Sequence, residues 1–309
     1  MAIRISGTTG IDMGNTSVSN ASQVEVQEEQ VSPFSGFKNY IINGNFDIWQ
    51  RGGGPFTNYN YGPDRWACAG GSHNSSASVG NIGKRIIHIT NTVAKSSLLL
   101  QAIELNLTGY NAPFNVGKTF TVSIRYSSST RIKPMVQFTT GASGTSPVDI
   151  FSTAEYKGGS GIDEVVSWTF TVPNNCGATN NCALLSIIGE SDVANCYMYS
   201  VQLEEGSVAT PFEHRPYGLE LSLCQRYYEI IFFNMGGNVP NTNGYVVGSS
   251  QYSVTKRVIP TLNYGTIIQN DNIISLHSDG QIFGYRIWGQ CVANSQVTFL
   301  AYGYVSAEL

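Results

Sequence analysis

MYSVQLEEGSVATPFEHRPYGLELSLCQRYYE, residues 198–229, is where the periodicity of the chain changes. With Tyr197 it opens as a strand: Tyr197, Tyr199, Val201 and Leu203 alternate with Met198, Ser200 and Gln202, the period-two pattern of a half-buried sheet. Glu204-Glu205-Gly206-Ser207 breaks the pattern and Thr210-Pro211 closes the strand region. Pro216 then biases Arg215 away from helix. Past Gly218 the spacing lengthens. Leu219, Leu223 and Tyr227 fall on one helical stripe, with Leu221, Cys224 and Tyr228 beside it. A strand that ends one module runs through a stiff, proline-bounded joint into a short helix that opens the next, which reads as a hinge between two bodies. Glu213, His214 and Arg215 are expected to pin that joint by hydrogen bonds and charge pairing.

Outward from the joint the chain reads as short strands. On the N-terminal side, residues 40–42 lead through the turn Asn43-Gly44-Asn45 into 46–49, and a strand resumes at 65–68. Further strands are predicted at 85–90, 97–104, 119–126, 135–140, 165–172 and 183–189, joined by loops rich in Gly, Asn, Ser and Thr. Past the helix, strands are predicted at 230–233, 244–247, 252–258, 265–269, 273–277, 282–288 and 297–305. This spacing predicts an all-β chain: a β-sandwich or jelly roll, a short helix, then a second small β-sandwich. The domains are residues 1–36 as an arm, 37–215, a linker helix at 216–230, and 231–309. The arm has two short apolar pieces and an acidic polar run, too little to offset its chain entropy without a partner.

Composition narrows the function classes. Only 12% of the 309 residues are charged, 33 are glycine, and the net charge is −4. A general nucleic-acid binder needs a basic face to displace counterions, so none is expected. No apolar run reaches the length of a membrane span, and the N-terminus lacks a signal pattern. The six cysteines (68, 176, 182, 196, 224 and 291) include no CxxC pair. Cys176 and Cys182 could bridge a short loop, but reduced thiols in a protein assembled in a bacterial cytoplasm are the expectation.

A search for chemistry finds little. The four histidines (73, 88, 214 and 277) lie in no metal-ligand spacing, and neither a GxSxG elbow nor a phosphate-binding loop occurs. Two carboxylates brought together from distant loops would suffice for a glycosidase, but no pattern shows them. The chain is expected not to be an enzyme. Asp64 and Arg65 are expected to form a partly covered ion pair, and Trp66 and Trp168 to lie in the core.

Two stretches carry a family resemblance. Residues 202–216, QLEEGSVATPFEHRP, with 219–229, LELSLCQRYYE, resemble a segment of many tail-fibre and receptor-binding proteins of tailed bacteriophages. Residues 39–52, NYIINGNFDIWQRG, followed by YGPDRW at 61–66, resemble the opening of the same module. The resemblance implies a jelly roll of the carbohydrate-binding-module kind and a homotrimer. It implies a virion component of the phage tail, with the arm joined to other tail or baseplate proteins and 231–309 as the receptor-binding tip. Attachment to host-surface glycan without catalysis is the function it implies. A purely structural collar, baseplate or head-fibre protein is the alternative, and a glycan depolymerase the third reading. Binding of host glycan separates the first two, and release of new reducing ends would mark the third.

The same resemblance offers Asp47 as a ligand of a structural calcium, because an acid after the opening NG-x-F often joins an acid pair on the last strand. Here Tyr199-Ser200 stand where that pair would be. No other cofactor is expected. Sugars are held by flat aromatic faces together with amides and hydroxyls. The candidate glycan contacts are therefore Tyr59, Tyr61, Asn241, Asn243, Tyr245, Tyr252, Tyr285 and Trp288. The helix residues Leu219, Leu223 and Tyr227 are the candidate trimer contacts.

Overall fold

The structure is a computed structural model that describes residues 4–6, 10–12, 37–56, 59–67, 78–80, 86–92, 97–104, 117–139, 148–149, 154–172, 182–239, 244–293 and 295–308. The chain divides into two compact units, Met1–Gly36 and Phe37–Leu309. In the first, β1 (Arg4–Ser6) pairs antiparallel with β2 (Gly10–Asp12). The second unit is all-β apart from one short helix.

Its first sandwich is built from β3 (Ser78–Gly80), β4 (Ile87–Thr92), β5 (Ser97–Glu104), β6 (Thr119–Ser127) and β7 (Ile132–Thr139). β8 (Val148–Asp149), β9 (Glu164–Thr171), β10 (Cys182–Gly189) and β11 (Val193–Glu205) complete it. The sheets run β5-β10-β7-β8 and β3-β4-β11-β6-β9, antiparallel throughout. Alternation decides which side chains meet between them. On β6, Phe120, Val122, Ile124 and Tyr126 enter the core, where they join Leu185 and Ile187 of β10 and Trp66 and Trp168.

On β11 the phase differs from the sequence reading. The register slips between Met198 and Ser200, so that Met198 faces Tyr126 and Ser200 faces Arg125. Cys196, Met198, Val201 and Leu203 are the core residues. Tyr197 and Tyr199 are therefore turned to the outer face. A β-bulge inserts one residue and re-aims its neighbours, which an unbroken alternation cannot foresee.

The two stretches that carry the sequence resemblance pack against each other. Val201 N donates to Gly44 O at 2.8 Å, and a Cβ on Gly44 would meet Val201 O at 2.4 Å, so only glycine lets the turn come this close. Asn43 holds the turn from within: its Nδ2 donates to Ile48 O and Asp64 O, and its Oδ1 accepts from Ile48 N. The segments predicted as strands at 40–42 and 46–49 are instead held by such bonds. Glu213 accepts from Lys38 N and Asn39 N, and Arg215 donates to Ile41 O.

The helix α1 (Tyr217–Gln225) buries Glu220 and Cys224, not the leucine stripe. Glu220 accepts from Asn43 N at 2.5 Å and pairs with Arg215 at 3.2 Å. These partners explain how a carboxylate can face inward. Leu219 and Leu223 are half-buried, while Tyr227 is buried under the Arg65 guanidinium, 3.5 Å from its ring centroid.

The second sandwich comprises β12 (Tyr228–Val239), β13 (Tyr245–Gln251), β14 (Thr261–Asp271), β15 (Ile273–Gly280), β16 (Gly284–Cys291) and β17 (Ser295–Ser306). Its sheets are β12-β17-β14 and β13-β16-β15. Phe233, Met235, Ile287, Phe299 and Val305 fill the space between them. Residues 252–258, predicted as a strand, form a loop instead. Within that loop the Lys256 side chain is fully buried, and Nζ donates to Gln225 O and to the Glu229 carboxylate.

The sandwiches share a buried polar joint. Asp64 and Arg65 do not pair with each other, as the sequence suggested. Asp64 lies 3.6 Å from Arg51, whereas Arg65 pairs with Glu308, which Arg51 also reaches at 2.9 Å. Arg226 and Arg257 converge on Glu104 at 3.2 and 3.5 Å. Gln50 Nε2 donates to Tyr228 O, and Ala307 N to Tyr227 O. Burial pushes Asp64 from the ordinary carboxylate range up to about 6, against the opposing pull of Arg51 and Gln50.

That raised value has a sign. The folded state binds the Asp64 proton more tightly than the unfolded chain does, so this group's contribution is full at acid pH. It is lost as pH rises through about 6. Between pH 4.5 and 7.5 wild-type unfolding free energy should fall by about 2 kcal/mol relative to Asp64→Asn. Urea titrations of both proteins across that range would show it, and parallel profiles would refute it.

Candidate functional site

The bulge on β11 creates the site. With Tyr199 turned outward, a groove of about 550 Å³ opens on the outer face of the β3-β4-β11-β6-β9 sheet. Ser123 and Arg125 of β6, Val165 of β9, and Tyr199, Ser200 and Gln202 of β11 line its floor. Thr210, Pro211, Phe212 and His214 form a wall.

Buried polar groups hold that wall in place. Glu204 accepts from Thr210 N at 2.8 Å and from Thr210 Oγ1 at 2.6 Å, while Gln202 Oε1 accepts from Glu213 N at 2.8 Å. Loop backbone is thus tied to the sheet by side chains that are themselves almost fully covered. A wall built this way is pre-formed, which lowers the ordering cost of binding.

The floor offers complementary chemistry. The Arg125 guanidinium lies 5.5 Å from the Tyr199 ring centroid and pairs with Asp163 through bonds of 2.9 and 2.5 Å. Those bonds hold the Asp163 carboxyl below its usual range. Ser123, only 8% exposed, has an Oγ with no hydrogen-bond partner among the described residues. A buried hydroxyl without a protein partner is uncommon, and this one can bond a polar group or water in the groove. Beside the groove on the same face, Tyr197 and His88 stack at 4.6 Å and 8°, and His88 Nε2 meets Asn195 Oδ1 at 2.8 Å. The surface therefore combines planar rings with donors and acceptors of both kinds. Such a surface suits a polyhydroxylated ligand.

No protein-family model and no curated protein matches the sequence. Among solved structures, the chain is distantly similar to the C-terminal family 22 carbohydrate binding module of Clostridium thermocellum Xyn10B. That likeness has 15% identity and a TM-score of 0.34, over 53% of this chain and 99% of the other. A second, to the CBM22-1–GH10 modules of the same organism's endo-1,4-beta-D-xylanase 10B, has 16% identity and a TM-score of 0.33, over 49% of this chain and 28% of the other. A third is to the enzymatically active domain of Bacteriophage CBA120 tailspike protein 4, at 12% identity and a TM-score of 0.34, over 54% and 21%. The chain spans under a third of the last two. Likenesses of this size do not identify a ligand.

The sequence-predicted residues scatter. Tyr252 and Tyr285 are buried with the core of the second sandwich, stacked 5.9 Å apart, and Tyr285, in phase with Ile287, also lines a depression of about 500 Å³ beside Phe283. Tyr59 and Tyr245 are exposed, and Tyr61 lines a cleft of about 420 Å³ with Arg51, Phe56, Tyr228 and Tyr304. Trp288 is half-buried on the outer face of β16. Asn241 and Asn243 lie outside the described residues, as do Cys68 and Cys176.

The Asp47 carboxylate accepts from Asn45 Nδ2 at 2.6 Å, and Glu204 is occupied by the groove wall. Among the described residues no group of three or more His, Cys, Asp and Glu side chains could hold a metal. The buried Cys196 thiol is pushed up to about 12 by desolvation, so it stays protonated. Tyr199, Arg125 and Ser123 were missed as site residues. The outward turn of Tyr199 depends on a bulge, and the register around a bulge is set by the neighbouring strands.

Proposed function

We propose that the protein is an attachment component of a phage tail that holds host-surface glycan in the groove over β11 and β6, without chemical turnover. The observation that carries the reading is the outward-turned Tyr199 beside Arg125 and the unpartnered Ser123 hydroxyl, under a wall pinned by Gln202 and Glu204. The resemblance of residues 39–66 and 202–229 to tail-fibre proteins supplies the setting: a homotrimer, docked through the arm, in the virion. Weak sites presented together by three chains would give slow release without any one site being tight.

Affinity electrophoresis in gels containing bacterial lipopolysaccharide or neutral polysaccharide tests the reading. Tyr199→Ala should lose about tenfold in affinity or more, the effect of removing a central aromatic contact, with thermal unfolding unchanged. Equal migration of wild type and variant would refute the groove as the site. The purely structural reading draws on a different observation, the exposed Ile230, Phe232 and Tyr302 on the β12-β17-β14 sheet, which are suited to packing against neighbours.

A further inference from the structure

The second sandwich carries a surface of the same kind, built independently. Register places Tyr245 opposite Gln290, Val247 opposite Trp288, Ser249 opposite Arg286 and Gln251 opposite Gly284. Across the other edge of β16, Trp288 faces His277 and Arg286 faces Asp279. Val246, Tyr285 and Ile287 point into the core, so these rows point outward.

The result is a strip along the strands. Tyr245, 60% exposed, stands at one end, and Phe283, 62% exposed, at the other. Between them Trp288 stacks with His277 at 5.7 Å and lies 5.0 Å from Arg286. From residue 245 to residue 251 the strip runs about 20 Å. At the Phe283 end it deepens into a depression of about 500 Å³ lined by Ser249, Gln251, Asp279, Gln281 and Arg286.

We propose that this outer face of the β13-β16-β15 sheet is a second glycan-binding surface, taking a neutral polyhydroxylated chain laid along the strands from Tyr245 to Phe283. The proposal rests on the glycan reading of the first groove but on none of its residues. Arg286 and Asp279 are the only Asp, Glu, Lys or Arg among the described residues of this strip, and they pair at 2.7 Å. The pair offers donors and acceptors with no net charge, matching hydroxyls rather than carboxylates. Its apolar members, Tyr245, the 57% exposed Val247, Trp288 and Phe283, are separated along the strands by amides, hydroxyls and the Arg286–Asp279 pair, which suits a polyhydroxylated chain better than a second copy. The continuous apolar surface suited to that, around Ile230, Phe232 and Tyr302, lies on the other sheet.

With two surfaces on one chain, binding to a polymer becomes intramolecular after the first contact. The test is affinity electrophoresis of the full chain in gels cast with dextran, arabinoxylan, alginate or bacterial lipopolysaccharide. The proteins are wild type, Tyr199→Ala, the pair Tyr245→Ala with Phe283→Ala, and all three together. Sedimentation velocity is run on each.

The expected result is retention of wild type on a neutral polymer, about a tenfold loss in each single-surface variant, and abolition in the triple variant. If the Tyr245/Phe283 variant binds as wild type while Tyr199→Ala is weakened, the second surface is refuted and the groove stands. If only the Tyr245/Phe283 variant is weakened, the second surface stands and the groove falls. Retention on alginate alone overturns the neutral-ligand assignment. A fall in solution mass for the Tyr245/Phe283 variant would make the strip an interface between copies and overturn the proposal. Retention of wild type on no polymer refutes both surfaces.

Discussion

Arg65→Met should lower the free energy of unfolding by about 3–5 kcal/mol, the usual result of removing a partner from a buried ionic group, here one that leaves Glu308 with Arg51 alone. Arg65 is almost fully covered. Burial is the largest single influence and disfavours its charge, but Glu308, with Tyr227, Tyr61 and Cys224 adding to it, outweighs that and holds the guanidinium above its ordinary range. The same side chain donates to Ala102 O at 2.5 Å and covers Tyr227. One residue thus ties a strand of the first sandwich to the start and end of the second.

Removing it should do more than reduce stability. Wild type is expected to unfold in one denaturant transition, because Arg65, Glu308, Arg226, Arg257 and Glu104 couple the sandwiches. Arg65→Met should separate that transition into two. Combining it with Glu308→Leu should recover much of the loss, since an apolar pair of similar volume costs little in place of a buried ionic one. A single sharp transition with a loss under about 1 kcal/mol, the value typical of exposed pairs, would show that the joint is not buried as the structure has it.

Lys256→Met is the second large effect, again about 3–5 kcal/mol. The variant leaves Glu229 covered, with Ser253 N at 3.1 Å and Ser253 Oγ at 2.5 Å but no cation. In wild type, desolvation draws Lys256 below the ordinary lysine range while Glu229 pulls the other way. Adding Glu229→Gln should restore much of the stability, because no covered charge is then left without its partner. Guanidinium unfolding of the single and double variants at pH 7 checks this, and equal deficits in the two would contradict it.

The arrangement of charges at these two places was out of reach of the sequence. Asp64 and Arg65 are adjacent, and adjacency suggested a pair. Yet residues adjacent in a tight turn point apart, and each found a partner far along the chain, Arg51 for one and Glu308 for the other. Glu213 and Arg215 were legible as joint residues because their setting between Pro211 and Pro216 is local. Their partners, Lys38, Asn39 and Ile41, were not.

Strand positions, by contrast, were largely local facts. Residues 97–104 form β5 with the bounds the alternation indicates, β6 and β10 differ from their predicted spans by one residue at one end, and β9 is shifted by one residue at both. Apolar alternation bounded by Gly, Asn and Ser is sufficient for this, because pleat and burial act residue by residue. The all-β class and the change to helix after Pro216 rest on the same ground.

By itself, then, the sequence determined the class, the order of elements and the joint between two sheet modules. Only the tertiary structure decided which faces those modules present. A one-residue slip of register reverses every side chain beyond it, and the slip at Tyr199 lies in the pairing of β11 with β6, just past the last residue that β4 pairs. A covered charge likewise takes whichever partner the fold brings near, as Lys256 does from within its loop. Both outcomes depend on contacts between segments distant along the chain, and local pattern carries no record of them.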